Sequence, residues 1–156
     1  MQYALVIGQV MVVIFLAFHD WVPLGKLNNV AGLRAVDTTN RLVFTTAVST
    51  MPFAAVLVVS IHFASVEYPN WLLWWLWGTY LVGAYGILRA WWIPYLGTPD
   101  PDRAKRYVVR FAGTHGFLPE RNGIRPDTLH VAFHALVVAI LVVLAYLTFM
   151  RQSTSR

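Results

Sequence analysis

Three side chains in the last third of the chain have types and spacing that could do chemistry together. Asp127, His130 and His134 stand at i, i+3 and i+7, so on a helix they stack along one face. Imidazole coordinates metals as a neutral ring, and a neighbouring carboxylate fixes which nitrogen carries the proton. Completed by His19 or Asp20, such an oxygen-and-nitrogen set would suit a divalent metal, zinc or iron. Without a metal, histidine and carboxylate could carry acid–base chemistry. Arg89 adds a permanent cation that could pair with Asp20 or Asp127, or hold a phosphate or carboxylate. The candidate catalytic residues are therefore His19, Asp20, Arg89 and His134, and the candidate metal ligands are Asp127, His130 and His134.

Each of these residues also has a plainer role. Asp127 follows Pro126 at a helix start and would serve there as a simple N-cap. His130 near an interface could snorkel, and His134 could hydrogen-bond a facing Thr or Ser. Arg89 could reach the headgroups. Cysteine is absent, which excludes disulfides, thiolate catalysis, iron–sulfur clusters and thiolate metal sites. Haem held by two histidines is disfavoured, because His62 and the histidines of the last apolar block fall near opposite ends of their spans.

The elements that must position these groups are read from composition. Of 156 residues, 58% are hydrophobic and only 12% charged, too little charge to cover a soluble domain of this size. The apolar residues fall in four blocks, each close to the ~20 helical residues that cross a hydrocarbon core of about 30 Å. None alternates with period two, and four such segments could not close a barrel. The expected fold is an all-α integral membrane protein, a four-transmembrane-helix bundle forming a single transmembrane domain over 1–156. Its spans are expected at about 2–21, 42–66, 71–96 and 128–150. The first block does not read as a cleaved signal, since no Lys or Arg precedes it and bulky Phe18-His19-Asp20-Trp21 follows.

The net charge of +5 is first a topology signal. Lys26, Arg34 and Arg41 follow the first span, and Arg103, Lys105, Arg106, Arg110, Arg121 and Arg125 follow the third. The opposite side has only Arg151 and Arg156. The positive-inside rule places the basic loops in the cytoplasm and both termini outward, in a multi-pass cell-membrane protein. Trp71, Trp74, Trp75 and Trp77 at one end of the third span, and Trp91, Trp92 and Tyr95 at the other, read as aromatic belts. Asp100-Pro101 opens a further helix over about 101–113. Ala104, Tyr107, Val108, Phe111 and Ala112 recur at helical spacing, with Arg103, Arg106 and Arg110 opposite. That pattern predicts an amphipathic interfacial helix, its basic face near anionic headgroups. Pro52 should kink the second span, and the Asn- and Thr-rich loop over 28–40 could fold over the polar pocket as a lid.

At about 1.5 Å rise per residue, Arg89 and His134 each lie about 10 Å below the basic surface. His19, Asp20, Thr45, Thr46, Ser49, Thr50 and His130 converge on the same third of the bundle. Ionisable groups at such depth are functional pointers. The expected function is a membrane-embedded enzyme, or a metal- or cofactor-binding protein, acting on a lipid-like or anionic substrate. The alternative is a small transporter or channel, which would have to assemble as a homo-oligomer, or an accessory subunit of a membrane complex. Membrane lipid is the expected partner, and nothing calls for nucleic acid.

Overall fold

In the computed structural model, residues 1–98 and 100–154 are described, with side chains through Met150. Arg156, counted in the charge balance above, lies outside the described residues, as does the side chain of Arg151. Among the described residues every regular element is helical, and the one strand-type pairing is an isolated antiparallel bridge between Arg121 and Ile124.

The first helix, α1, runs Gln2–Phe18. It stops short of the expected residue 21: Pro23 has no N–H for the carbonyl of His19, and Asn28 donates to His19 O at 2.6 Å and to Val22 O at 2.8 Å. A short helix over Val30–Val36, α2, follows, with Asn29 as its N-cap accepting from Gly32 N at 2.8 Å. It lies in the Asn- and Thr-rich loop over 28–40. Helix α3 covers Thr39–His62 and continues through Pro52. It begins three residues before the expected start because Thr38 caps it.

Helix α4, Asn70–Ile87, runs on through a π-helical turn at Leu88–Trp92 into a last turn, α5, at Ile93–Leu96. Pro94 has no N–H, so the carbonyl of Ala90 four residues earlier lacks its helical donor. Arg103 Nη1 at 2.9 Å and the Tyr107 hydroxyl at 2.8 Å supply the missing donors. Both belong to α6, Pro101–Arg110, which starts as expected with Asp100 as N-cap and Pro101 at the first position. Helix α7, Thr128–Thr154, closes the chain.

Two helices, Thr39–His62 and Thr128–Met150, are long and apolar enough to cross a membrane; Gln2–Phe18 is apolar but shorter. One core cluster draws Leu5 and Val12 from α1, Phe53 and Val56 from α3, Leu72, Leu76 and Tyr80 from α4, and Val137, Ile140 and Leu144 from α7. Here α1 packs on α3 and α7, and α4 on α7. Gly8 brings α1 close to α7, where an added Cβ would stand 3.0 Å from Ile140. Contact between α3 and α4 is thinner, leaving an apolar groove of about 600 Å³ walled by Val48, Pro52, Gly78, Val82 and Gly86.

The connections gather into two unlike ends. At one end, the turn end, α3 and α4 are joined by the short link over 63–69. At the other, the loop end, α2, α6 and the segment 111–127 fold together over the ends of α1, α4 and α7. Gly32 lies so close to α6 that a Cβ there would collide with the Val109 carbonyl. Asn29 Nδ2 donates to Ala112 O at 3.0 Å. Asn122 and Gly123 both have positive φ and make a tight turn, with Arg121 and Ile124 exchanging two backbone hydrogen bonds at 2.9 Å. The Asn122 amide then caps the end of α5, donating to Pro94 O, Tyr95 O and Gly97 O at 3.1–3.3 Å.

Candidate functional site

Pro126 and Asp127 set the start of α7, and the Asp127 side chain does two things there. Its Oδ1 accepts the backbone N–H of His130 at 2.8 Å, which is an N-cap. Its Oδ2 lies 2.8 Å from His130 Nδ1. Asp127 is 1% exposed and His130 8%. An ionised carboxylate at that distance places the ring proton on Nδ1, leaving the Nε2 lone pair without a hydrogen-bond partner among the described residues. One oxygen of Asp127 therefore caps α7 while the other meets the His130 ring.

The His130 ring sits in an aromatic box. Trp91 lies 4.6 Å away between ring centres, Phe111 5.4 Å and Phe15 5.6 Å. His19 completes the wall at 5.4 Å, edge to face. Phe15 is stacked between His19 and Phe133, at 4.2 and 4.1 Å. His19 Nδ1 lies 2.8 Å from Phe15 O and Nε2 3.2 Å from Asp20 Oδ1. Both ring nitrogens thus face oxygens, of which a neutral ring can donate to one; burial, partly offset by Asp20, holds its pKa below the usual imidazole range.

Asp20 opens a chain of charges. Arg110 Nη2 reaches it at 3.2 Å, Arg110 Nη1 stands 3.8 Å from Asp37, and Arg41 pairs with Asp37 at 3.0 Å. Arg103, Tyr107 and Arg110 stand at i, i+4 and i+7, so they form the stripe of α6 that faces the other helices. Of the basic face expected to meet headgroups, Arg106 is exposed, while Arg103 and Arg110 turn to protein partners. Burial pushes the Tyr107 phenol up to about 12, so its proton stays on the bond to Ala90 O throughout the neutral range.

A small pocket of about 10 Å³ lies among these groups, lined by His19, Asp20, Asn28, Asn29, Arg110 and His130. That is about the space of one probe-sized water. The structure therefore brings His19, Asp20, Asp127 and His130 together, with His134 one turn deeper. His134 is 6% exposed, lies near Trp91, Trp92 and Phe133, and its Nδ1 is buried with no hydrogen-bond partner. The facing Thr or Ser expected from the sequence is not bonded to that nitrogen.

Arg89 does not join them. Its side chain is exposed, and only its backbone carbonyl takes part, accepting from Arg103 at 2.8 Å. Two residues along a helix turn by about 200°, so with Trp91 facing the histidines Arg89 must face away. The cation beside Asp20 is Arg110, which sequence depth alone did not pick out. Nor do Asp127, His130 and His134 together form a three-ligand metal set. Both Asp127 oxygens are engaged by His130, and the two rings are 6.3 Å apart between centres. Among the described residues no group of three or more His, Asp or Glu is placed to hold an ion.

In comparisons with protein-family models, with curated proteins and with solved structures, nothing matches the chain.

Proposed function

We propose that the chain is a membrane-embedded enzyme whose general base is His130, oriented by Asp127, and whose substrate is lipid-like or anionic. The observation that carries this reading is the buried 2.8 Å pair between Asp127 and His130, which leaves Nε2 without a partner on a residue that lines a water-sized pocket.

The membrane part of the proposal is a bundle of four spans: α1, α3, the continuous helix over 70–96, and α7. Large apolar side chains stand outward on all four, among them Ile7, Phe44, Met51, Val58, Trp74, Val82, Val142 and Phe149. In water such a surface would drive association; in lipid it is the contact surface. The nine Lys and Arg of the two long connections all fall at the loop end, which supports a cytoplasmic loop end with both termini outward.

In this reading His130 Nε2 takes a proton from a water in the pocket, and the Asp127 carboxylate stabilises the imidazolium that forms. The water oxygen bonds to a carbonyl or phosphoryl centre, and the proton passes from Nε2 to the leaving oxygen. Arg110, on the same pocket wall, faces the negative charge that develops. A positioned base of this kind contributes about 10²–10⁴ in rate. The test is to reconstitute the full chain with a total lipid extract in ¹⁸O-labelled water and follow the lipids by mass spectrometry. Wild type should yield an ¹⁸O-bearing product and His130→Gln should not. No labelled product in wild type, or an equal yield from His130→Gln, would sink the proposal.

A second reading, that His130 and His134 hold a divalent metal, is favoured by one observation, the unpartnered buried Nδ1 of His134. Plasma mass spectrometry of untagged protein tests it. Zinc or iron near one equivalent, lost in His130→Gln/His134→Gln, would favour it, and metal-free protein active in the labelling assay would remove it.

A further inference from the structure

Arg110 also lines a second pocket, of about 210 Å³, on the surface of the loop end. Its walls come from the end of α2 (Val36, Asp37), the first turn of α3 (Arg41), the π-helical turn (Ala90) and the inward stripe of α6 (Arg103, Arg106, Tyr107, Arg110). Four guanidinium groups thus surround one concavity with a single carboxylate among them. Taking those lining residues alone, four positive charges less the one on Asp37 leave a surplus of three.

The arginines are not equally occupied. Arg103 is fixed by Asp100 at 3.4 Å and by the carbonyls of Arg89 and Ala90. Arg110 is held by Asp20 at 3.2 Å and stands 3.8 Å from Asp37, which pairs with Arg41 at 3.0 Å. Arg106 has no ion-pair or hydrogen-bond partner among the described residues. Like charges around one hollow raise one another's energy, and an anion between them relieves it. Guanidinium groups suit phosphate in particular, because their forked donors match its oxygens in pairs. Three arms held by protein and one, Arg106, free to close make a clamp that is partly assembled before its ligand arrives. The carbonyl left by Pro94 is what anchors the fixed side, through Arg103 and Tyr107.

We infer that this pocket binds a phosphate group, borne by a lipid headgroup or by a small soluble ester. This goes beyond the His130 centre and stands without it, since no residue of the Asp127–His130 pair lines the pocket.

The experiment uses the full chain in phosphatidylcholine nanodiscs containing phosphatidate, with retained phosphatidate counted by native mass spectrometry. Arg106→Gln should weaken retention about tenfold, the scale of one lost charge-assisted bond. Arg41→Gln/Arg106→Gln should weaken it further. Lys105→Gln removes the same charge from the same helix outside the pocket and should change little. Inorganic phosphate, added at millimolar concentration and followed by ³¹P line broadening, separates the two sources. Displacement of phosphatidate, with broadening that Arg106→Gln abolishes, supports a soluble ester. Retention without displacement supports a headgroup. Equal weakening by Lys105→Gln would mean diffuse surface charge and overturn the inference. So would unchanged retention in the double variant, whose folding is checked by its unfolding midpoint.

Discussion

The two ends of the molecule handle buried polarity in opposite ways. Toward the turn end the interior is neutral and its polar ties are few and uncharged. Gln9 donates to Ser60 Oγ at 3.1 Å, Tyr68 OH reaches Ser60 O, and Trp77 donates to Thr148. The Gln9 side-chain oxygen and the Tyr80 hydroxyl are buried with no hydrogen-bond partner among the described residues. At the loop end the polar groups interlock, from His19 through Asp20, Arg110 and Asp37 to Arg41, beside the Asp127–His130 pair. Removing a group that stands alone loses one modest bond. Removing a group from an interlocked set strands a charge or a carbonyl, which costs far more. On this contrast the turn end holds the helices together, and the loop end is where the proposed site lies.

The largest effect should come from Asp127→Ala, which removes the cap of α7 and the partner of His130 together. A loss of about 3 kcal/mol is expected, from the sum of a cap and a charge-assisted hydrogen bond. Reversible unfolding in mild detergent measures it. A loss no larger than that of a turn-end substitution would break the comparison.

Next comes Gly32→Ala, where the new methyl meets the Val109 carbonyl and forces α2 from α6. About 2 kcal/mol is expected, on the scale of overpacking. The damage should be local, so limited proteolysis should cut within 22–37 while the core helices stay protected.

Asn122 sharpens the comparison by separating turn from cap. Asn122→Ala loses the positive-φ preference and the three carbonyl contacts, and should cost about 2 kcal/mol. Asn122→Gly keeps the turn and should recover about half of that. Equal losses in the two variants would mean that the backbone conformation contributes nothing.

The smallest effect belongs to the turn end. Gln9→Leu keeps the volume and removes an amide whose oxygen is already without a partner, so a change within about 1 kcal/mol is expected. A loss matching that of Asp127→Ala would show that the neutral network is as interlocked as the charged one.

Much of this arrangement was legible in the residues. Asp100-Pro101 marked the start of α6, and the i, i+3 spacing of Asp127 and His130 put both on one face. Depth along the helices was legible too, which is why His19, Asp20, His130 and His134 were picked out together. Azimuth was not. Arg89 has the right depth and the wrong side, and the choice between it and Arg110 depends on which face of a mixed π and α helix packs inward. Helix α2 has seven residues and only the Asn29 cap to announce it, too little for a periodic pattern. The turn at Asn122-Gly123 did carry its signal, since that pair favours positive φ at both positions, but no alternating apolar strands flank it. The π-helical turn left no mark except Pro94, whose effect on Ala90 becomes visible only once Arg103 and Tyr107 are seen to answer it.

The central claim is that Asp127 holds His130 with its proton on Nδ1 and its Nε2 lone pair free. The most direct measurement is ¹⁵N NMR of histidine-labelled protein in detergent at pH 9, with His130 assigned by His130→Gln. The account predicts a protonated Nδ1 and a bare Nε2 for His130, shifting to a tautomer mixture in Asp127→Asn. A wild-type His130 protonated on Nε2, or a spectrum unchanged by Asp127→Asn, would contradict it.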